Sequence, residues 1–212
     1  MTMAGAAGAA VVAALLWGLL VPRIRIDDPE APDLAALVSW RSALLVGVVA
    51  LACGLALWRE APAAWLLWAP YLAVGAPLAA VDLRTTFLPR RLHHVALVGM
   101  AAGGVALAVV APGAALGALV GAIAAFAFFY VAWRLTANLG FGDVRLALLI
   151  GAVAGQSGVT AWTTALLAGT VLGALHGIGH ALWARRDPER APHFAYGPAL
   201  WLGPIVAAAI LG

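Results

Sequence analysis

The sequence predicts an all-α fold, a polytopic membrane helix bundle of about eight transmembrane helices, and three observations point to it. Of 212 residues, 65% are apolar and only 10% charged, where ordinary soluble domains carry about 25% charged residues. The apolar residues fall into long runs separated by short charged patches, the pattern of a chain that crosses a bilayer repeatedly. The mean hydropathy is +1.01, and 24 Gly and 12 Pro are spread along the runs, as is common in membrane helices.

The runs cover residues 4–22, 42–58, 62–81, 94–111, 114–133, 144–155, 159–183 and 198–212. A helix rises about 1.5 Å per residue, so most of them reach across a hydrocarbon core of roughly 30 Å. The first run has no positive segment before it, since the first charge is Arg23. It reads as a retained helix and not as a cleaved leader. The stretch 144–183 is too long for one span and divides at Gly155-Gln156-Ser157-Gly158. Its first part, about 18 Å long by the same rise, starts below the membrane surface and takes the preceding residue, Asp143, to some depth. Neither a repeat nor a long linker interrupts the pattern, so residues 1–212 read as one membrane-embedded domain.

Alternating spans give alternating sides, and the arginines test the assignment. The net charge of +3 comes from 12 Arg, no Lys and nine acids. Eleven of the 12 Arg fall in or beside the segments 23–41, 82–93, 134–143 and 184–197, and only Arg59 lies opposite. The positive-inside rule makes that side cytoplasmic. Because the arginines sit between apolar runs and form no continuous basic face, nucleic acid is excluded as a partner, and the bilayer is the expected surroundings. Cys53 is the single cysteine, so neither a disulfide framework nor a Cys-rich zinc site can be built.

Seven of the nine acids lie in evident loops; Asp82 and Asp143 do not. Asp82 follows directly on the run ending Ala79-Ala80-Val81, and Asp143 precedes the apolar Leu146-Ala147-Leu148-Leu149-Ile150. An acid at such depth costs several kcal/mol unless it is paired or hydrated, which makes it a functional candidate. Two spans separate the pair, so the chain returns to the face it left and both carboxylates can meet at the cytoplasmic boundary. Asp82 opens a D-x6-P pattern that ends at Pro89, which suits an abrupt exit into the fourth helix. Asp143 closes Gly140-Phe141-Gly142-Asp143, where the glycines permit a tight backbone and let an extended chain approach the carboxylate.

The segments 82–89 and 140–143, the latter followed by Val144-Arg145-Leu146, resemble the two signature motifs of the type IV prepilin peptidases, which are GxGD-type intramembrane aspartyl proteases. Tyr196-Gly197-Pro198-Ala199-Leu200 looks like the family's FGP segment before the last helix, with Tyr in place of Phe. The resemblance covers residues 62–212. It implies cleavage of the short basic leader of membrane-inserted prepilin-like precursors at the cytoplasmic boundary. It also implies Asp82 and Asp143 as the catalytic pair, with Gly140, Gly142, Pro89, Gly197 and Pro198 shaping the site. Many family members carry two Cys-x-x-Cys pairs after the first helix, associated with N-methylation. Residues 23–41 hold no Cys, so the resemblance is to a short form, a peptidase without the methyltransferase.

Two carboxylates sharing a site favour one proton between them, so one activates water while the other polarises the scissile carbonyl and then protonates the leaving amine. This chemistry needs no metal and no other cofactor. The helix dipole makes Asp143, before a helix N-terminus, the ionised partner. Alternatively the two acids cap helix ends and pair with Arg84 and Arg145.

Other features carry weaker expectations. His176 and His180 sit four apart on the seventh helix, as metal ligands or proton carriers would, although hydrogen bonding within the bundle suits them as well. His93 and His94 read as interfacial loop residues. Asp27, Asp28, Glu30 and Asp33 form either a solvated loop or an acidic attractor for a basic leader. Trp17, Trp58, Trp65, Trp68, Trp133, Trp183 and Trp201 read as interfacial anchors, and Gly169, Gly173 and Gly177 as a face for close helix packing. A proton-coupled transporter is the competing function. Against it stand the absence of an inverted repeat and the position of both acids at one membrane edge instead of the midplane. An inactive scaffold for pilus assembly is the third reading.

Overall fold

A computed structural model describes residues 2–26, 31–136, 139–186 and 194–211. Among the described residues there are eight α-helices and no strand. Helix α1, Thr2–Leu15, continues through a widened turn at Leu16–Leu20 and a tightened one at Val21–Arg23. The others are α2 (Trp40–Ala56), α3 (Trp65–Thr85), α4 (Arg90–Val110), α5 (Pro112–Leu135), α6 (Phe141–Gly155), α7 (Val159–Ala184) and α8 (Gly197–Leu211). Local sequence explains several starts. Ser39 and Ser42 close a reciprocal capping box on α2, with N···O distances of 3.1 and 2.8 Å. Prolines 62 and 112 stand at or near the starts of α3 and α5, where a missing N–H costs nothing.

Each expected run is a helix, and five have the length and composition to cross a membrane: Met3–Arg23, Pro62–Thr85, Arg90–Val110, Pro112–Leu135 and Val159–Ala184. The remaining three, α2, α6 and α8, have 17, 15 and 15 residues. They would cover only about 22–26 Å. Two boundaries differ in a way that matters. Helix α3 runs on to Thr85, so Asp82 lies inside it and not after it. Helix α4 starts at Arg90, so His93 and His94 are helical and not in a loop. His93 is fully buried and His94 exposed. Hydropathy stops at the first charged residue, but the helix continues to satisfy its backbone internally at that depth.

The layering decides where the acids sit. Helix α3 packs on α1, α2, α4, α6 and α8, and α6 packs on α3, α4, α5, α7 and α8. Within α3, 78% of the span is buried, against 17–22% in α4, α5 and α7, which turn apolar side chains such as Val98, Leu119 and Leu175 outward. The two aspartates therefore ride on the two inner helices. Helices α5 and α6 cross backbone to backbone at two glycine pairs, Gly117 with Gly155 and Gly121 with Gly151. A Cβ on either Gly117 or Gly155 would fall 2.5 Å from the other's carbonyl oxygen. On α7, Gly169 faces Leu200 of α8, while Gly173 and Gly177 face the rings of Tyr196 and Phe194.

The tryptophan expectation is partly overturned. Trp17, Trp65, Trp68 and Trp201 are buried in the core, whereas Trp58 and Trp183 are exposed and Trp133 is half-buried. Trp17 Nε1 donates to Ser42 Oγ at 2.9 Å, tying α1 to α2, and Tyr71 Oη donates to the Trp201 carbonyl at 2.6 Å, tying α3 to α8. An indole near a span end is interfacial only when its helix is peripheral, and α3 is not.

Candidate active site

Asp82 stands in the last turn of α3 and is 3% exposed. Its Oδ2 accepts a 2.9 Å hydrogen bond from the backbone N–H of Gly197, the first residue of α8. This donor is one of the N–H groups that a helix start leaves without an intrahelical partner. The Gly197 backbone lies so close that a Cβ there would meet Oδ2 at 2.6 Å. Pro198 follows in the same first turn. Beyond Asp82 the helix ends abruptly at Thr86, which adopts φ 58°, the left-handed region, and donates its N–H to the Asp82 carbonyl at 2.7 Å. A β-branched residue in that conformation is a strained cap, and it turns the chain sharply into Phe87, Leu88 and Pro89. Pro89 is the N-cap of α4.

Asp143 is the third residue of α6 and 8% exposed, so it lies within the first turn and not ahead of the helix. The Gly140 N-cap backbone stands directly beside its carboxylate, where a Cβ would lie 3.4 Å from Oδ2. Gly140 itself has ordinary extended geometry (φ −75°, ψ 144°), so its value lies in closeness to Asp143 and not in conformational freedom. Gly142 packs on Leu88, where a Cβ would fall 2.8 Å from the Leu88 side chain. The approaching chain at this glycine is thus the segment after Asp82, and the two motifs are pressed directly together.

Both carboxylates line one cleft of about 1070 Å³ and interact electrostatically. Asp82, Gly140, Gly142 and Asp143 line it together with Phe128 and Phe129 of α5, Thr136 just after that helix, Thr170 of α7, and Phe87, Leu88, Phe194 and Tyr196 from the connecting segments. Thr170 and Leu88 were not foreseen from the sequence; neither stands out from its surroundings by type or spacing. Tyr196 lies on Gly173 with Thr170 as side-chain partner. Burial raises its phenol above the ordinary value, Thr170 works against this, and Asp143 adds to it, so the hydroxyl stays protonated. Among the described residues neither aspartate forms an ion pair. Arg145 turns instead toward Phe141, with its guanidinium carbon 5.8 Å from the ring centroid.

The other singled-out residues are accounted for separately. His176 stacks edge-on against Phe194 at 5.5 Å, and His180 lies 5.4 Å from Trp183. No group of three or more potential metal ligands occurs among the described residues. Asp33 caps the short turn Leu34–Leu37 by accepting from Ala35 N at 3.0 Å. Asp27, Asp28 and Glu30 lie outside the described residues.

Two buried carboxylates lining one partly apolar cleft are a set of groups that general acid–base chemistry can use. No curated protein and no solved structure matches the chain. The model of the type IV leader peptidase family matches residues 66–178, just over half of the chain, and that stretch holds both aspartates. With its apolar helices and this match, the chain is a membrane peptidase that belongs to the type IV leader peptidase family.

Proposed function

We propose that the chain is an aspartyl endopeptidase that removes the basic leader of type IV prepilin-like precursors, with Asp82 and Asp143 as the catalytic pair. The observation that carries this reading is the joint placement of two buried carboxylates in one cleft at the arginine-rich end of the bundle. By the positive-inside rule that end faces the cytoplasm of the cell membrane. A precursor's leader, with its positive charges, lies on that side before its own membrane helix, so the scissile bond reaches the cleft at the boundary.

In the proposed mechanism the ionised carboxylate takes a proton from a water molecule as it attacks the scissile carbonyl. The protonated partner donates a hydrogen bond to the carbonyl oxygen. A proton then passes to the leaving amine as the C–N bond breaks. Gly197 holds Asp82 through Oδ2, while the α6 N-terminus favours Asp143 as the anion. The Tyr196 hydroxyl, protonated and close to Asp143, is a further donor for the substrate backbone. The activity is peptidase alone, since the Cys-x-x-Cys pairs that accompany methylation in the family have no counterpart in residues 23–41.

The test is co-expression with a panel of prepilin-like precursors. Asp82→Asn and Asp143→Asn, each inserted to wild-type level, should each abolish leader removal. Processing that persists in both would overturn the assignment of the pair.

A further inference from the structure

Beside the catalytic cleft lies a second cavity, of about 600 Å³, between the end of α1 and the start of α4. Of the nine described residues lining it four are arginines, Arg25, Arg90, Arg91 and Arg145, and the other five are apolar. Among the described residues that line it there is no acidic side chain, and Arg90 and Arg145 are close enough to repel each other. The first turn of α4 also opens here without a side-chain cap, so its free backbone N–H groups add to the positive potential. Guanidinium groups held together around a cavity, against their mutual repulsion, make a receptor for an oxyanion, and a phosphate accepts their paired N–H donors best.

The surroundings decide which phosphate. The cavity lies at the membrane-boundary end of α1 and α4. From Arg91 the exposed face of α4 runs on through Val95, Val98, Val105 and Val109, which are 37%, 70%, 70% and 81% exposed and recur at helical spacing. A headgroup seated among the arginines would have its acyl chains laid along this stripe. We infer that the cavity binds the phosphate of an anionic phospholipid, in the manner of basic pockets at the ends of membrane helices.

The two cavities share a wall, since Phe87, Leu88 and Arg145 line both. A bound headgroup would therefore neutralise positive charge next to Asp143, on the path of a basic leader that bare arginines would repel. That consequence rests on the proposed peptidase reading; binding of the lipid does not.

The experiment measures lipid binding directly, without cleavage, so its failure is distinct from a failure of the peptidase reading. The full chain is delipidated in neutral detergent and titrated with dioleoylphosphatidylglycerol, dioleoylphosphatidylcholine or inorganic phosphate. Complexes are read by native mass spectrometry and thermal melting. Saturable 1:1 binding of phosphatidylglycerol alone is expected, weakened about tenfold or more by Arg90→Gln/Arg91→Gln. The same loss is unaffected by choice of helix if Arg25→Gln, outside α4, reproduces it, which covers a double variant that fails to fold. Arg185→Gln/Arg186→Gln, outside the cavity, should leave binding unchanged. Equal binding of inorganic phosphate would overturn the lipid assignment, and equal loss in the Arg185/Arg186 variant would overturn the site. Binding that emerges only in Asp27→Asn/Asp28→Asn/Glu30→Gln would show that the chain's own acids occupy the arginines, and would overturn it as well.

Discussion

The backbone N–H of Gly197 holds the Asp82 carboxylate at 2.9 Å, although 115 residues separate the two in the chain. The start of the last helix thus fixes the rotamer of an acid at the end of the third. Glycine is required because of space, since a Cβ would lie 2.6 Å from Oδ2. Gly197→Ala should therefore displace the carboxylate by a fraction of an ångström to an ångström while leaving the bundle folded. Cleavage of a co-expressed precursor is expected to fall on the order of a hundredfold, the scale of a small misplacement at a reacting centre. An unchanged rate would remove the positioning role of this contact.

Gly142 and Leu88 should behave as a coupled pair. A Cβ at Gly142 would sit 2.8 Å from both Cβ and Cδ1 of Leu88, of which Leu88→Ala removes only the second, and overpacking of this kind costs about 1–3 kcal/mol. Gly142→Ala is expected to lower both melting temperature and cleavage. Adding Leu88→Ala should restore part of each, with a coupling energy of about 1 kcal/mol. Strict additivity of the two substitutions would mean that the motifs do not touch.

The α5–α6 crossing offers a comparison between two glycines. A Cβ on Gly151 would meet the Ala125 Cβ at 2.7 Å, whereas one on Gly179 would meet nothing within 4 Å. Gly151→Ala should destabilise by about 1–3 kcal/mol, and Gly179→Ala should stay within about 0.5 kcal/mol of wild type. Thermal melting in detergent, followed by circular dichroism, reads both.

Glu60, in the connection between α2 and α3 at the end opposite the cleft, has its carboxyl raised above the ordinary value by burial, with the nearby Trp68 indole working against it. A carboxyl whose folded value is raised contributes stability that is complete at acid pH and lost as pH climbs through that value. Wild type should thus lose melting temperature more steeply than Glu60→Gln as pH rises above the ordinary glutamate range. Parallel pH profiles for the two proteins would contradict this.

Much of the architecture was legible because hydropathy and helix length are tightly linked in a bilayer. Each of the eight apolar runs is a helix, and the two aspartates at one end of the chain's back-and-forth path do share a cleft. Which helices lie inside was not legible. Lipid tails are as apolar as leucine, so a run such as 62–81 that packs on five neighbours reads like one that faces lipid. For that reason Trp65, Trp68 and Trp201 read as anchors but are core, and His93 read as a loop residue but is buried. The contact of Gly142 with Leu88 was equally hidden, because only tertiary packing brings residues 88 and 142 together. The arginine cavity escaped notice too, since Arg25, Arg90 and Arg145 belong to three separate segments of the chain.

Where Gly117 and Gly121 meet Gly155 and Gly151, main chain rests on main chain, and no rotamer stands between helices α5 and α6. The register of α6, and with it the seat of Asp143, is therefore set at these two crossings by main chain and not by a rotamer. Phe128 and Phe129, farther along the same helix, line the cleft. Under the proposed peptidase reading, such a division of labour would leave the wall that meets the precursor free to change while the seat of Asp143 keeps its geometry, so diversification of substrate and preservation of catalysis need not compete.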